Sequence, residues 1–214
     1  MRERKFNDER IYYRLVNTHE LQVLVDGVPS VTFADFGISK IFYMFLREDE
    51  NGTIQSLLIN DAVAKGFGYS LHELCELADA NTHKLFPAKI TPLRTMVKEL
   101  QEKLQDDSFD IEKYVDDENG EAYMLTSYAN IKGASCMFNK TFLDAFAKMH
   151  KEKKLFILPV SEEEVLVYRA SSVNNLDALK EEMIDLAMYS KEQGEMLSDK
   201  VIEYDVKTRV FSVA

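Results

Sequence analysis

The chain has only two cysteines, four prolines and eight glycines among its 214 residues. Cys75 and Cys136 are too few for a disulfide framework or a zinc site, and each falls at a position that we predict to be buried. Because no Ser/Gly/Pro-rich linker is present, any internal boundary must lie in a charged turn rather than a flexible tether. The low cysteine count is typical of a protein in a reducing cytoplasm.

Long apolar runs are missing too. Residues 1–5 are mostly charged, and no apolar segment follows that resembles the core of a signal peptide. No stretch approaches the ~20 apolar residues of a membrane-spanning helix. We therefore expect a cytoplasmic protein that has no membrane partner.

Basic residues are fewer than acidic ones: the chain has 26 Lys and Arg against 37 Asp and Glu, which gives a net charge of -11. Because phosphate backbones are bound by Lys and Arg, this balance argues against direct binding to nucleic acid. The same acidity allows the opposite function, a nucleic-acid mimic that inhibits a DNA- or RNA-binding protein. Such a mimic requires a double row of carboxylates, spaced about 7 Å apart for alternate phosphates.

Hydrophobic residues make up 46% of the chain, which is enough for a substantial core. The segment Tyr123 to Arg169 reads strand, turn, strand, helix, strand, strand, with the second strand placed at 134–138. After Asn139, a helix is predicted to turn Phe142, Ala145, Phe146 and Met149 inward. This order predicts an α+β fold, with mostly antiparallel sheets and amphipathic helices packed against them.

Turn and capping signals place the other elements. An Asn-Gly turn predicts a hairpin from strands near 41–45 and 54–59, and Ser70 with Glu73 forms a capping box for a helix ending near Leu85. Thr91-Pro92 predicts a further helix with proline at its first position. The pattern also predicts a strand at 11–16, a long helix over 176–187 and a terminal hairpin over 201–213.

The acidic stretch 105–119 separates a helix-rich half from a strand-rich half. It predicts an N-terminal lobe at 1–108 and a C-terminal lobe at 109–214, with one continuous domain as the alternative. Two apolar segments that each end in an Asn cap, before Asn60 and before Asn139, would fit two lobes of similar plan.

No nucleophile elbow, phosphate-binding glycine loop or dinucleotide fingerprint occurs, so no cofactor is expected. His72, Glu76, Asp79 and His83 repeat along one helical face. We interpret them as its polar side rather than a metal site, because ligands stacked along one helix cannot all reach one ion.

An enzyme is one of the hypotheses that the sequence leaves open. It would be hydrolase-like, and the group to test first is the set Ser161, Glu163, Glu164 and Asp199.

The leading hypothesis is a non-enzymatic binding or regulatory protein, which recognises another protein or a small ligand through a polar cleft between the lobes. Its candidate ligand-binding residues are polar side chains near the ends of elements: Asn17, Asn81, Thr126 and Ser198. Helix capping and turn hydrogen bonding are the structural interpretation of the same four residues. The oligomeric state stays open.

Short motifs spread from about residue 11 to residue 205 resemble a known protein family, and we call them the family motifs. They are Leu15-Val16-Asn17, Ala80-Asn81-Thr82 with Leu85 and Pro87, Leu125-Thr126, Gly133-Ala134, Leu155-Phe156-Ile157-Leu158-Pro159 with Ser161 and Glu164-Val165, Leu197-Ser198-Asp199, and Tyr204-Asp205. The chain resembles the bacterial domain-of-unknown-function family numbered fifty-six eighty-eight, which is common in anaerobic Gram-positive gut bacteria.

The resemblance implies a bacterial cytoplasmic protein and supplies no activity. Family members often carry an additional N-terminal region, and this chain begins near the end of it. The family pattern also places a His-Glu pair after its Pro-Ser-Ser stretch, whereas this chain has Glu163-Glu164 after Ser161. The imidazole of that segment is therefore missing here.

Overall fold

The structure is a computed structural model, and it describes residues 8–19, 21, 27–50, 53–104, 120–128, 133–163 and 165–214. Its strands are β1 (Ile11–Asn17), β2 (Ser30–Phe33), β3 (Ile38–Glu48), β4 (Ile54–Leu58), β5 (Ala88–Pro92), β6 (Ala122–Ser127), β7 (Lys154–Leu158), β8 (Val165–Arg169), β9 (Ile202–Asp205) and β10 (Val210–Val213). Its α-helices are α1 (Asp61–Phe67), α2 (Leu71–Leu85), α3 (Leu93–Leu104), α4 (Lys140–His150) and α5 (Leu176–Glu192). Short 3₁₀ helices cover Asp8–Arg10, Ala34–Phe36 and Gly133–Phe138.

The first sheet is built around β3, an 11-residue strand rich in aromatic and β-branched residues. β1 pairs along one edge of β3, and β2 and β4 follow one another along its other edge, all antiparallel. The predicted hairpin of β3 and β4 is confirmed, while the Asn-Gly pair at 51–52 lies outside the described residues. α2 packs against β1 and carries the predicted capping box between Ser70 and Glu73.

The second sheet has six antiparallel strands in the order β10-β9-β7-β8-β6-β5. β5 comes from before the predicted lobe boundary, yet it pairs with β6 from after that boundary. The first half of the chain therefore contributes a strand to the sheet of the second half. The division into lobes 1–108 and 109–214 stays a prediction, and its boundary lies outside the described residues.

The central strands of the second sheet are buried on both faces, and their side chains alternate between two apolar clusters. Leu155 and Ile157 of β7 face a large cluster shared with the first sheet, whereas Phe156 and Leu158 face a smaller cluster. β8 alternates in the same way. Because successive side chains point to opposite faces of a strand, this arrangement explains why β7 and β8 read as continuous apolar runs.

The two clusters have different partners. The large one joins the sheets, so that Phe42 of β3 and Val167 of β8 lie in the same core with Leu143 of α4. The smaller one is closed by α5, through buried residues such as Leu179 and Met183. The predicted α+β class is confirmed, with helices packed against antiparallel sheets.

The strand predicted at 134–138 is wrong, because Gly133–Phe138 forms a 3₁₀ helix. Its residues from Gly133 to Met137 are all buried, and Cys136 lies inside the 3₁₀ helix rather than in a strand. A short apolar run that is buried on every side has no period that separates a strand from a helical turn.

Two further predictions need correction. Thr91 and Pro92 end β5 instead of starting a helix, and α3 begins at Leu93. β5 is an edge strand, where the missing N–H of Pro92 costs no bond inside the sheet.

The inward face of α4 was also predicted about one residue out of register. Leu143, Phe146 and Ala147 are buried, whereas Ala145 and Met149 are exposed. The cap at Asn139 is confirmed, since its Oδ1 accepts a hydrogen bond from the backbone N–H of Phe142.

Candidate functional site

A cleft of about 650 Å³ opens where the first sheet meets the C-terminal part of the chain. β1, β3, the 3₁₀ helix Ala34–Phe36 and α2 contribute one side, and the start of α4 with the β9–β10 hairpin contributes the other. We call it the aromatic cleft, and its lining is Tyr13, Phe33, Ala34, Asp35, Phe36, Lys40, Asp79, His83, Phe138, Asn139, Lys140, Thr141, Arg209, Val210 and Phe211.

A continuous path of phenylalanine rings crosses the cleft. The ring of Phe33 lies 4.9 Å from that of Phe138, and Phe138 in turn lies 5.2 Å from Phe211 at 87°. Phe36 stacks on Phe33 at 6.3 Å. Phe33, Phe138 and Phe211 are each only partly buried, so ring surface remains open to the cleft.

A buried lysine stands at one end of this path. Lys40 is 7% exposed, and its Nζ lies 2.5 Å from Oδ1 of Asp79 and 4.2 Å from the ring centre of Tyr13. Asp79 keeps its other side in solvent, with a side chain that is 56% exposed. The ammonium is thus held by one carboxylate and lies over the rings of Tyr13 and Phe33, as expected when a cation leaves water.

His83 lies one helical turn after Asp79 and packs edge-on against Tyr13, with ring centres 6.1 Å apart. Its Nδ1 is buried and has no hydrogen-bond partner among the described residues. Burial lowers the pKa of His83, although Asp79 acts in the opposite direction, so the neutral ring is favoured. A neutral imidazole offers one donor and one acceptor, and here the Nδ1 position is not used by the protein.

Tyr13 is not available for proton transfer. Its hydroxyl donates to the carbonyl oxygen of Ser135 at 3.0 Å, and burial raises the pKa of the phenol well above its ordinary value. Tyr13 therefore stays neutral, and its ring contacts Lys40 and His83.

Two cations stand at the other end of the ring path. Nζ of Lys140 lies 5.6 Å from the ring centre of Phe211, and Nε of Arg209 pairs with Oδ2 of Asp144 at 3.0 Å. Asp144 does not line the cleft, whereas Lys140 and Arg209 do. This end thus carries positive charge in a protein whose net charge is -11.

A second cavity, which we call the α4 groove, has a volume of about 440 Å³ and is nearly all apolar. Its lining is Ile90, Pro92, Tyr123, Phe142, Ala145, Phe146, Met149 and His150. The four residues that sequence periodicity assigned to the inward face of α4 all line this groove. The predicted apolar stripe therefore faces an open groove, and of its four residues only Phe146 is buried.

The four candidate ligand-binding residues share one structural role, because each donates its side-chain hydrogen to a main-chain carbonyl. Asn17 donates to Leu197, and Ser198 donates to Phe36. These two bonds tie the first sheet to the C-terminal part of the chain.

Asn81 bonds the carbonyl oxygens of Asp8 and Ile11, and Thr126 bonds that of Glu163. None of the four candidates lines the aromatic cleft or the α4 groove. Their ligand role stays a prediction.

The candidate catalytic residues lie in two neighbouring segments, where Ser161 forms a bridge with Met196 and Val160 accepts from the N–H of Leu197. The Ser161 hydroxyl accepts from the N–H of Glu163, and Asp199 pairs with Lys200 at 3.2 Å.

Glu164, the remaining member of this set, lies outside the described residues. Ser161, Glu163 and Asp199 do not line either cavity, and the hydrolase-like function stays a prediction.

The residues that line the cleft were only partly visible in the sequence. Asp79 and His83 belong to the repeating stripe on α2 that we interpreted as a polar face, and the structure places both of them in the cleft. Lys40 carried a signal that could have been used, since it interrupts a strand in which every neighbour from Ile38 to Phe42 is buried. The ring path could not be found, because its members are far apart in sequence.

Metal binding and membrane insertion find no support in the described residues. They contain no group of three His, Cys, Asp or Glu side chains placed to hold a metal ion. Within the same ranges, no helix combines the length and apolar character needed to cross a membrane. Cys75 and Cys136 are free, and burial raises the pKa of Cys136 to about 12, which makes it a poor nucleophile.

Comparison with known proteins gives a family and no activity. No curated protein matches the chain, and no solved structure matches it either. A family model does match, over residues 4–206, and this covers nearly the whole sequence. The chain therefore belongs to the Family of unknown function (DUF5688).

Proposed function

We propose that this protein is a non-enzymatic binding protein that holds a small organic ligand in the aromatic cleft. The observation that carries the proposal is the cleft itself: open ring surface between two charged ends, at the joint of the two sheets. Its volume of about 650 Å³ lies within the range of roughly 300–1,000 Å³ that is usual for ligand pockets.

We further propose that the protein works in a bacterial cytoplasm, which its two free cysteines support. A protein partner, the other binding function expected from the sequence, stays a prediction.

The test is a thermal-shift screen of a broad library of small molecules, followed by titration of each hit. Thr141 and Ala145 are both exposed on α4, but Thr141 lines the aromatic cleft and Ala145 lines the α4 groove. We expect Thr141→Trp to abolish binding of the hits and Ala145→Trp to leave it unchanged. Hits blocked only by Ala145→Trp, or a screen without hits, would contradict the proposal.

A further inference from the structure

The aromatic cleft also restricts the chemistry of its ligand, and the following inference rests on the function proposed above. Its walls are rings that the protein leaves partly uncovered. Phe33, Phe138 and Phe211 contact one another through tilted or edge-on geometries, with ring planes at 35° and 87°. Aromatic rings prefer offset or edge-on partners, so a flat ring system is the shape that best fills the space beside them.

The charges favour an anion over a cation at the end of the cleft formed by α4 and the β9–β10 hairpin. Arg209 is balanced by Asp144, whereas Lys140 has no carboxylate partner among the described residues and rests against Phe211. At the opposite end Lys40 and Asp79 neutralise each other. The remaining acid of the lining, Asp35, is exposed on the 3₁₀ helix of the first sheet.

The ring path lies between the two charged ends of the cleft. Lys40 Nζ lies 5.9 Å from the centre of Phe33 at the start of the ring path, and Lys140 Nζ lies 5.6 Å from Phe211 at its end. A molecule lying along Phe33, Phe138 and Phe211 therefore reaches Lys140 with one edge.

We infer that the ligand is a planar aromatic acid, with its rings against Phe33, Phe138 and Phe211 and its carboxylate at Lys140. The ring surface supplies the contact area, and the ammonium group of Lys140 supplies charge-assisted recognition.

Four probes of similar size separate the parts of this inference. They are 2-naphthoate, its neutral alcohol 2-naphthalenemethanol, its cationic amine 2-naphthylmethylamine, and the non-planar acid decalin-2-carboxylate. Binding of each to the full chain is measured by titration calorimetry at low salt. We expect 2-naphthoate to bind about tenfold more tightly than the neutral alcohol, and the amine to bind most weakly.

Two lysines of α4 provide matched variants, because Lys140 lines the cleft and the exposed Lys148 does not. Lys140→Gln is expected to lower the affinity for 2-naphthoate about tenfold, to that of the alcohol, while the alcohol itself is unaffected. Lys148→Gln should leave the affinities for 2-naphthoate and for the alcohol unchanged. Added NaCl should lower the affinity for 2-naphthoate and leave the affinity for the alcohol unchanged, because salt screens an exposed cation.

Other results of these titrations would contradict a specific part of the inference. Equal binding of the acid and the alcohol, or tighter binding of the amine, overturns the carboxylate assignment. Equal binding of the planar and non-planar acids overturns the aromatic assignment. If none of the probes binds while the library screen finds a ligand that Thr141→Trp blocks, this inference is wrong and the proposed function stands. If the library screen also finds no such ligand, the inference and the proposed function are both contradicted.

Discussion

The polar side chains of the family motifs and those of the aromatic cleft differ in what they bond to. Asn17, Asn81, Thr126 and Ser198 belong to the motifs, and each donates to a main-chain carbonyl of a segment far along the chain. The cleft instead presents side chains such as Lys140 and His83, whose polar atoms the protein leaves partly unused. None of the motif residues that the structure describes lines the cleft.

This difference indicates that the polar residues of the family motifs stabilise the fold. A buried carbonyl that loses its partner costs free energy, so a side chain that supplies the bond has a structural role. The residues around Thr126 illustrate it, since Gly133 lies against Thr126 and Glu163 with no room for a side chain. Membership of the family therefore indicates architecture, and the ligand contacts that we propose lie on residues outside the motifs.

The largest expected effect comes from Gly133→Ala. A methyl group there would lie within 3.0 Å of Thr126 Oγ1, the carbonyl oxygen of Glu163 and the amide nitrogen of Ser127. Two of these atoms belong to the backbone and cannot turn away. We expect the free energy of unfolding, measured by urea denaturation, to fall by about 3 kcal/mol or more.

Gly66→Ala is the matched control. Gly66 lies within α1, and a methyl group added there would have no neighbouring atom within 4 Å. Since alanine favours a helix over glycine by about 1 kcal/mol, Gly66→Ala should leave stability unchanged or raise it. Similar losses at both positions would show that Gly133 is not closely enclosed.

Asn81→Ala is expected to have a smaller effect, a loss of about 2 kcal/mol in the free energy of unfolding. It leaves the buried carbonyl oxygens of Asp8 and Ile11 without the amide that now bonds both. Asn175→Ala, which removes the exposed cap of α5, should cost only about 1 kcal/mol. If Asn81→Ala abolished ligand binding while stability was kept, Asn81 would belong to the site instead.

The smallest effect concerns His83. Burial lowers the pKa of His83 in the folded protein, so the unfolded chain, with an ordinary pKa of about 6.5, binds more protons just below that pH. The contribution of His83 to stability is therefore present above about pH 6.5 and is lost as the pH falls toward the lowered value.

The measurement is the melting temperature from about pH 8 to pH 5.5. His83→Gln should flatten its pH dependence in this range. His72→Gln, which alters an exposed histidine at the start of the same helix, is the matched control. An unaltered slope in His83→Gln would contradict the burial of this ring in a neutral form.

Several elements could be predicted because their signals are local. The capping box at Ser70, the cap at Asn139 and the two terminal strands depend on residues a few positions apart, and the structure confirms them. Predictions failed where tertiary surroundings decide the conformation. The run at 134–138 is enclosed on all sides, and Pro92 lies at a sheet edge that no local pattern reveals.

The candidate site was less predictable than the fold. Lys40 and Asp79 are 39 positions apart in the sequence, and Phe33 and Phe138 come from different halves of the chain. The stripe with Asp79 and His83 and the lysine at position 40 were local signals, but neither showed that these residues line one cleft.

The sequence by itself determined the α+β class, most strands and helices, and membership of the family, because periodicity, caps and short motifs act over neighbouring residues. Only the tertiary structure decided that β5 joins the second sheet, that the motif residues bond distant carbonyls, and that rings and cations meet in a cleft. These contacts join residues far apart along the chain, and their formation depends on how the two sheets pack.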